Sequence, residues 1–218
     1  SSVGDSIITQ NASKIGIGTD NPQRELDVNG GVRVRGPLDL FQQNDNTFAG
    51  TNAGNFYNAV GNSNAAFGED ALAAITSASR NTAVGFESLK ENISGNNNTA
   101  IGTSSMALST AGSFNTALGN SSLSAATTGQ GNTAIGNAAL TSKTTSNFNT
   151  AIGHNSLSNI TTGFRNTAVG NDAGKFTSDG TTANSTGRNS IFIGDSAKAS
   201  ADNQTNQIVI GVGAVGNG

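Results

Sequence analysis

The chain contains no cysteine, so neither a disulfide framework nor a thiolate metal or redox site is open to it. Tryptophan is absent too, histidine occurs once and proline twice in 218 residues. Charged residues make up 11% and hydrophobic ones 34%: too little charge for a disordered polyelectrolyte, and a thin apolar share for a compact enzyme. A net charge of −3 supplies no basic field, which argues against a nucleic-acid partner. No apolar run approaches the ~20 residues that cross a bilayer, so no membrane insertion is expected. The opening Ser1-Ser2-Val3-Gly4-Asp5 lacks the basic start and apolar stretch of a signal peptide, which suggests a processed chain or an internal fragment. What fills the chain instead is glycine (29 residues), asparagine, serine and threonine. Such a composition suits a repetitive, secreted or virion-borne structural protein.

Self-similarity decides the architecture. The string Asn-Thr-Ala-(Val/Ile/Leu)-Gly begins at Asn81, Asn98, Asn115, Asn132, Asn149 and Asn166, each 17 residues after the last. Looser copies begin at Asn46 and Asn64, and two more at Asn189 and Asn206, where one extra residue precedes the glycine. Five alternating residues closed by glycine predict a short strand ending in a turn. A second apolar beat falls eight residues after the asparagine, at Leu72, Leu89, Met106, Leu123, Leu140 and Leu157. A unit of strand, turn, strand and turn is one coil of a solenoid. Ten coils at ~4.8 Å each make a rod section roughly 50 Å long. The fold class expected is therefore all-β, a parallel β-roll or β-solenoid of 17-residue coils. Helix is disfavoured by the glycine, threonine, asparagine and serine content and by the lack of a 3.6-residue beat.

Two expectations concern facing. The fourth residue of each motif (Val84, Ile101, Leu118, Ile135, Ile152, Val169) is expected inside with the leucine beat, leaving the alanine column (Ala83, Ala100, Ala117, Ala134, Ala151, Ala168) on the outside. The opening asparagines are expected to form a column whose amides bond along the axis. So slender a core would gain from side-by-side association of chains across the alanine faces.

Asn189-Ser190-Ile191-Phe192-Ile193-Gly194 and Asn206-Gln207-Ile208-Val209-Ile210-Gly211 resemble the repeat of trimeric autotransporter adhesin heads, which are parallel β-rolls of three chains about a threefold axis. The Asn-Thr-Ala-Ile-Gly coils have a longer second half than that repeat. Lys14-Ile15-Gly16-Ile17-Gly18-Thr19-Asp20-Asn21-Pro22, followed by Glu25-Leu26-Asp27-Val28-Asn29-Gly30, is similar to a connector of bacteriophage tail fibres and related bacterial fibre proteins. Both resemblances imply a homotrimeric extracellular fibre, borne on a virion, an injection machine or a bacterial surface. Its implied partners are other fibre segments and a cell-surface glycan or receptor. Three regions follow: a connector with short strands over 1–40, the 17-residue repeats over 41–188, and last coils with a longer strand motif over 189–218, the last of these read as truncated.

Reactive constellations are scarce. His154 follows a turn glycine, at a position where other coils carry Phe86, Thr103, Asn120, Asn137 and Asn171, and it reads as a surface turn residue. Glu69 and Glu87 fall at nearly equivalent places in consecutive coils, the nearest approach to a glycosidase carboxylate pair. Gly16-Ile17-Gly18 lacks the strand, loop and helix order of a phosphate site. No cofactor, metal or catalytic residue is expected. The threonine column raises ice binding, but the facing expected above turns it inward. Phe114 and Phe148 share one position just before a strand, suited to packing between chains or to a receptor patch. After Asn166 the period slips to 23, and the extra residues around Lys175, Phe176 and Asp179 predict a surface loop, the leading candidate for contact with a target. The function expected is a non-enzymatic structural or adhesive fibre segment. The alternatives are a polysaccharide-degrading tailspike and an ice-binding solenoid.

Overall fold

The computed structural model describes residues 8–11, 14–17, 26–28, 45–54, 61–142 and 145–217. The chain divides into two units, Ser1–Leu40 and Phe41–Gly218. In the first, β1 (Ile8–Asn11) pairs antiparallel with β2 (Lys14–Ile17), which pairs in parallel with β3 (Leu26–Val28). The rest of the connector, Arg33 and Arg35 included, lies outside the described residues.

The second unit is an all-β parallel solenoid. Its ten strands are β4 (Thr47–Ala49), β5 (Ala65–Phe67), β6 (Thr82–Val84), β7 (Thr99–Ile101), β8 (Thr116–Leu118), β9 (Thr133–Ile135), β10 (Thr150–Ile152), β11 (Thr167–Val169), β12 (Ile191–Ile193) and β13 (Ile208–Ile210). They stack in chain order, each beside its sequence neighbour. Consecutive parallel strands in one sheet require a full turn of chain between them, and that turn is the coil. From β6 to β11 the register is threonine on threonine and alanine on alanine, after the leading Ala65-Ala66-Phe67 strand, whose Ala65 lies beside Thr82.

The facing expected from sequence is reversed. Ala83, Ala100, Ala117, Ala134, Ala151 and Ala168 are each 0% exposed, whereas Val84, Ile101, Leu118, Ile152 and Val169 are 36–44% exposed and Ile135 is only partly buried. At the level of the strand the coil is too narrow for two large side chains. The column of Leu72, Leu89, Met106, Leu123, Leu140 and Leu157, all fully buried, fills the space against the sheet, with Ile75 and Ile160 buried three residues further along their own coils, so the inward strand position must be small. Exceptions follow the same volume rule. Phe48 points inward in β4, and the leucine position of its coil is Gly54, where a Cβ would lie 2.2 Å from the Phe48 ring.

The second half of the coil is not a strand. Alternate residues there are left-handed, as at Glu87 (φ 55°) and Leu89 (φ 51°), or Ser104 and Met106 (both φ 52°). This curls the chain inward instead of extending it. Backbone bonds to the next coil continue nonetheless, for instance Leu89 N to Ser105 O at 2.9 Å and Met106 N to Ser122 O at 2.9 Å. At the strand ends the glycine column is obligatory. Gly119 has φ +136°, and a Cβ there would lie 2.5 Å from the carbonyl oxygen of Gly136 one coil on.

Asn46, Asn64, Asn81, Asn98, Asn115, Asn132, Asn149 and Asn166 stand buried as a column. The backbone N–H of each donates to the side-chain oxygen of the one before, as from Asn98 to Asn81 at 2.9 Å and from Asn132 to Asn115 at 2.9 Å. From Asn64 to Asn149 each side-chain amide also donates to a turn carbonyl fourteen residues on, as Asn115 does to Gly129 at 2.8 Å, and Asn166 reaches past the insertion to Gly187 at 2.7 Å. The ladder then passes to Ser190, whose N–H donates to Asn166 Oδ1 at 3.1 Å, and to Gln207, whose N–H reaches Ser190 Oγ at 3.2 Å. Ser190 and Gln207 therefore hold the ladder position that sequence spacing gave to Asn189 and Asn206. Those two asparagines are left-handed corner residues (φ 52° and 59°). The last two strands are three residues long like the solenoid's others, the extra residue of each motif being the corner asparagine.

Candidate functional site

Three surfaces gather the residues singled out by sequence. The first is the outward face of the ten-stranded sheet. Its two columns come from the first and third strand residues: threonine in most coils on one side, and Phe67, Val84, Ile101, Leu118, Ile135, Ile152, Val169, Ile193 and Ile210 on the other. The threonine column thus faces out, beside the aliphatic one, and the inward placement that argued against ice binding does not hold. Exposure rises to 72% at Ile208 and 66% at Ile210, on the last strand.

The second surface is the insertion after β11. Seven residues beyond the 17-residue period separate Thr167 from its partner Ile191. They form a hairpin: Phe176 bridges Ala183, Thr177 N donates to Thr182 O at 2.9 Å, and Gly180 N to Thr177 O at 2.9 Å. Its first arm is anchored. Thr177 is buried and bridges Ala199 of the next coil, and Ser178 Oγ donates to Ser200 O at 2.8 Å. Only the tip stands out. Asp179 organises it, accepting from the backbone N–H groups of Thr181 and Thr182, both at 2.8 Å, and from the hydroxyls of Thr182 and Thr177. The Thr182 hydroxyl and these backbone donors hold the Asp179 carboxyl well below the usual carboxylate range. Lys175 is already engaged, with Nζ 3.0 Å from Asp172 Oδ1 and 5.0 Å from the Phe176 ring centroid. Beneath the hairpin, Asp202 caps Ser185 and Thr186. Burial pushes its carboxyl up, but hydrogen bonds from Ser185, Thr186 and Asn203 prevail and bring it down to about 2.

The third surface carries the polar turn residues. His154 Nδ1 lies 3.0 Å from Asn171 Oδ1, and Asn171 donates to Asp195 Oδ2 at 3.0 Å, an exposed rung-to-rung ladder. Glu87 accepts from Lys90 at 2.7 Å, and the same ammonium lies 3.2 Å from Asp70. Hydrogen bonds from Asn52 and Lys90 lower the Asp70 carboxyl, and those to Glu87 and Asp70 raise the Lys90 ammonium. The structure thus sets Glu87 on the rung beside Glu69, its N–H donating to Glu69 O at 3.0 Å, and joins its carboxylate to Asp70 through a lysine. That geometry keeps Asp70 ionised, the opposite of what a general acid requires. Among the described residues there is no cluster of three or more metal-ligating side chains, and no helix long and apolar enough to cross a membrane.

Sequence reasoning missed the outward aliphatic column, and the signal that could have found it was volume: alanine in six consecutive coils marks the crowded side. No protein-family model matches this chain, nor does any curated protein or solved structure.

Proposed function

We propose that this chain is a non-enzymatic segment of a homotrimeric extracellular fibre, which extends or mediates attachment to a cell surface. The observation that carries the reading is axial continuity. Each strand and each buried asparagine is bonded to its counterpart one coil away, so the repeats make a stiff spacer rather than a cavity. The hairpin tip around Asp179, shown once per chain and so three times per trimer, is the contact point that a rigid scaffold would display to a glycan or receptor. Such a fibre would be carried by a virion, an injection machine or a bacterial surface. Removing the two coils from Asn115 to Phe148 should leave a folded chain whose rod is shorter by ~10 Å in electron micrographs, with cell attachment retained. Release of reducing ends from a surface polysaccharide, lost in a Glu69→Gln/Glu87→Gln double variant, would replace this reading with a tailspike enzyme.

A second reading has one specific observation behind it. The outward threonine column, repeated at the strand spacing on a regular sheet face, is the kind of array that orders water against ice. Thermal hysteresis of the purified chain tests it.

A further inference from the structure

We propose that the outward face of the ten-stranded sheet is where three copies of this chain meet, parallel and in register. The inference rests on the trimeric reading above and names its interface, in place of the alanine column, which is inside the coil.

Three observations support it. None of the outward positions on the ten strands carries a charge, although charged residues occupy turns on the rest of the coil. The aliphatic residues form an unbroken row from Phe67 to Ile210, each at least partly exposed. Apolar exposure elsewhere is less continuous: Phe114 and Phe148, 64% and 60% exposed, share a column but are two coils apart with Gly131 between them, and Leu108, 47% exposed, is flanked along its own column by Glu91 and Ala125. A contiguous apolar strip of this kind marks an interaction surface, whereas scattered residues do not.

The occupant follows from the period. Backbone pairing fixes the rows at ~4.8 Å, and a partner that fits every row must repeat at the same spacing. A second copy does so automatically, with Ile152 at the level of Ile152. Three copies fit better than two. The strip is about 43 Å long and about 10 Å wide, roughly 430 Å². A face-to-face pair would therefore fall well short of the ~800 Å² per partner of a standard interface. The two columns also differ, threonine beside aliphatic, which suits a heterologous contact that closes by rotation. In a threefold ring the aliphatic columns converge on the axis. The threonine side of one chain then lies against its neighbour, and each chain adds corner residues from two contacts.

The test is multi-angle light scattering on the purified chain, with circular dichroism as the folding control. The intact chain should run at three times 21.7 kDa. Ile101→Lys/Ile152→Lys, at positions 38% and 37% exposed in one chain, should keep the β spectrum and run as a monomer. Leu108→Lys, on another side, should remain trimeric. A trimer that survives Ile101→Lys/Ile152→Lys would overturn the interface while leaving the trimer intact. A monomeric parent would overturn both, and thermal hysteresis from that monomer would give the face to ice. Should the double lysine variant fail to fold, the cysteine-free background provides a second measurement. Ile152→Cys should cross-link to itself between copies under mild oxidation, and Leu108→Cys should not. Absence of the Ile152→Cys cross-link would overturn the in-register interface.

Discussion

The ring of Phe192 fills the space left by Gly174: a Cβ on that glycine would lie 2.8 Å from Phe192 Cδ2 and 2.6 Å from Leu157 Cδ2. Position 174 belongs to the leucine column, one period after Leu157, and Phe192 to the alanine column. The two columns share one volume, so a gain in one requires a loss in the other. Phe192→Ala alone should open a cavity and cost about 3–5 kcal/mol. Gly174→Leu added to it should recover part of that loss, since leucine is held at φ 49° one coil earlier at Leu157. Urea denaturation of both single variants and the double variant measures the coupling. A double variant no more stable than the sum of its singles would refute the shared volume.

Inward and outward strand positions should respond oppositely to size. Ala151→Ile puts a large side chain where the buried leucines leave no space, and should cost several kcal/mol or prevent folding. Ile152→Thr copies a side chain that the same face already carries, and should change the stability of an isolated coil stack little. Thermal melts of the two variants at equal concentration separate them. Melts of Ile152→Thr should also be concentration-dependent, because that position lies in the proposed interface.

This pair of positions shows where the sequence was readable and where it was not. The 17-residue clock, the strand sites and the parallel solenoid class were visible in the Asn-Thr-Ala-Ile-Gly string. Alternation was visible as well, but its phase was not: hydrophobicity alone puts isoleucine inside, and only the coil's small cross-section puts alanine there. The second expected strand failed for a local reason, since residues such as Leu89 and Met106 take left-handed angles that bulky side chains ordinarily avoid. The ladder's shift to Ser190 and Gln207 was hidden because Asn189 and Asn206 imitate the motif while serving as corners, a conformation asparagine tolerates well.

The asparagine ladder should be sensitive to its middle rungs. Asn132 Oδ1 accepts from Asn149 N at 3.0 Å, and its amide donates to Ser146 O at 2.9 Å. Asn132→Ala strands both partners in the interior, each at ~1–3 kcal/mol. Asn132→Ser should cost less, because Ser190 already serves as a rung in this solenoid. Equilibrium unfolding gives the order: parent, then serine, then alanine. Equal losses for serine and alanine would mean that the hydroxyl cannot reach.

Acid should weaken the region around the hairpin through Asp202. Its folded carboxyl titrates at about 2, below the ordinary 3.8, so the charged form is favoured by folding. The stabilisation is complete above the ordinary value and is lost as pH falls through the folded one, from about pH 4 to about pH 2. Asp202→Asn removes the titration. The stability gap between parent and variant should therefore be constant near neutrality and narrow across that window. A gap independent of pH would place the contribution of Asp202 in its shape rather than its charge.

The hairpin tip can be loosened without disturbing the coils. The Asp179 carboxylate gathers Thr177, Thr181 and Thr182, while the arm below is tied to the next coil by Thr177–Ala199 pairing. Asp179→Ala removes the acceptor from the tip and leaves the arm's backbone bonds. Cleavage by a broad protease should accelerate at residues 178–182, with the global melting temperature nearly unchanged. If the tip is the attachment point, cell binding should fall in the same variant, because the loop loses its fixed shape before it meets a target. Cleavage that accelerates while attachment stays constant would leave the hairpin as the solenoid's way of absorbing seven residues, and attachment would belong elsewhere on the fibre.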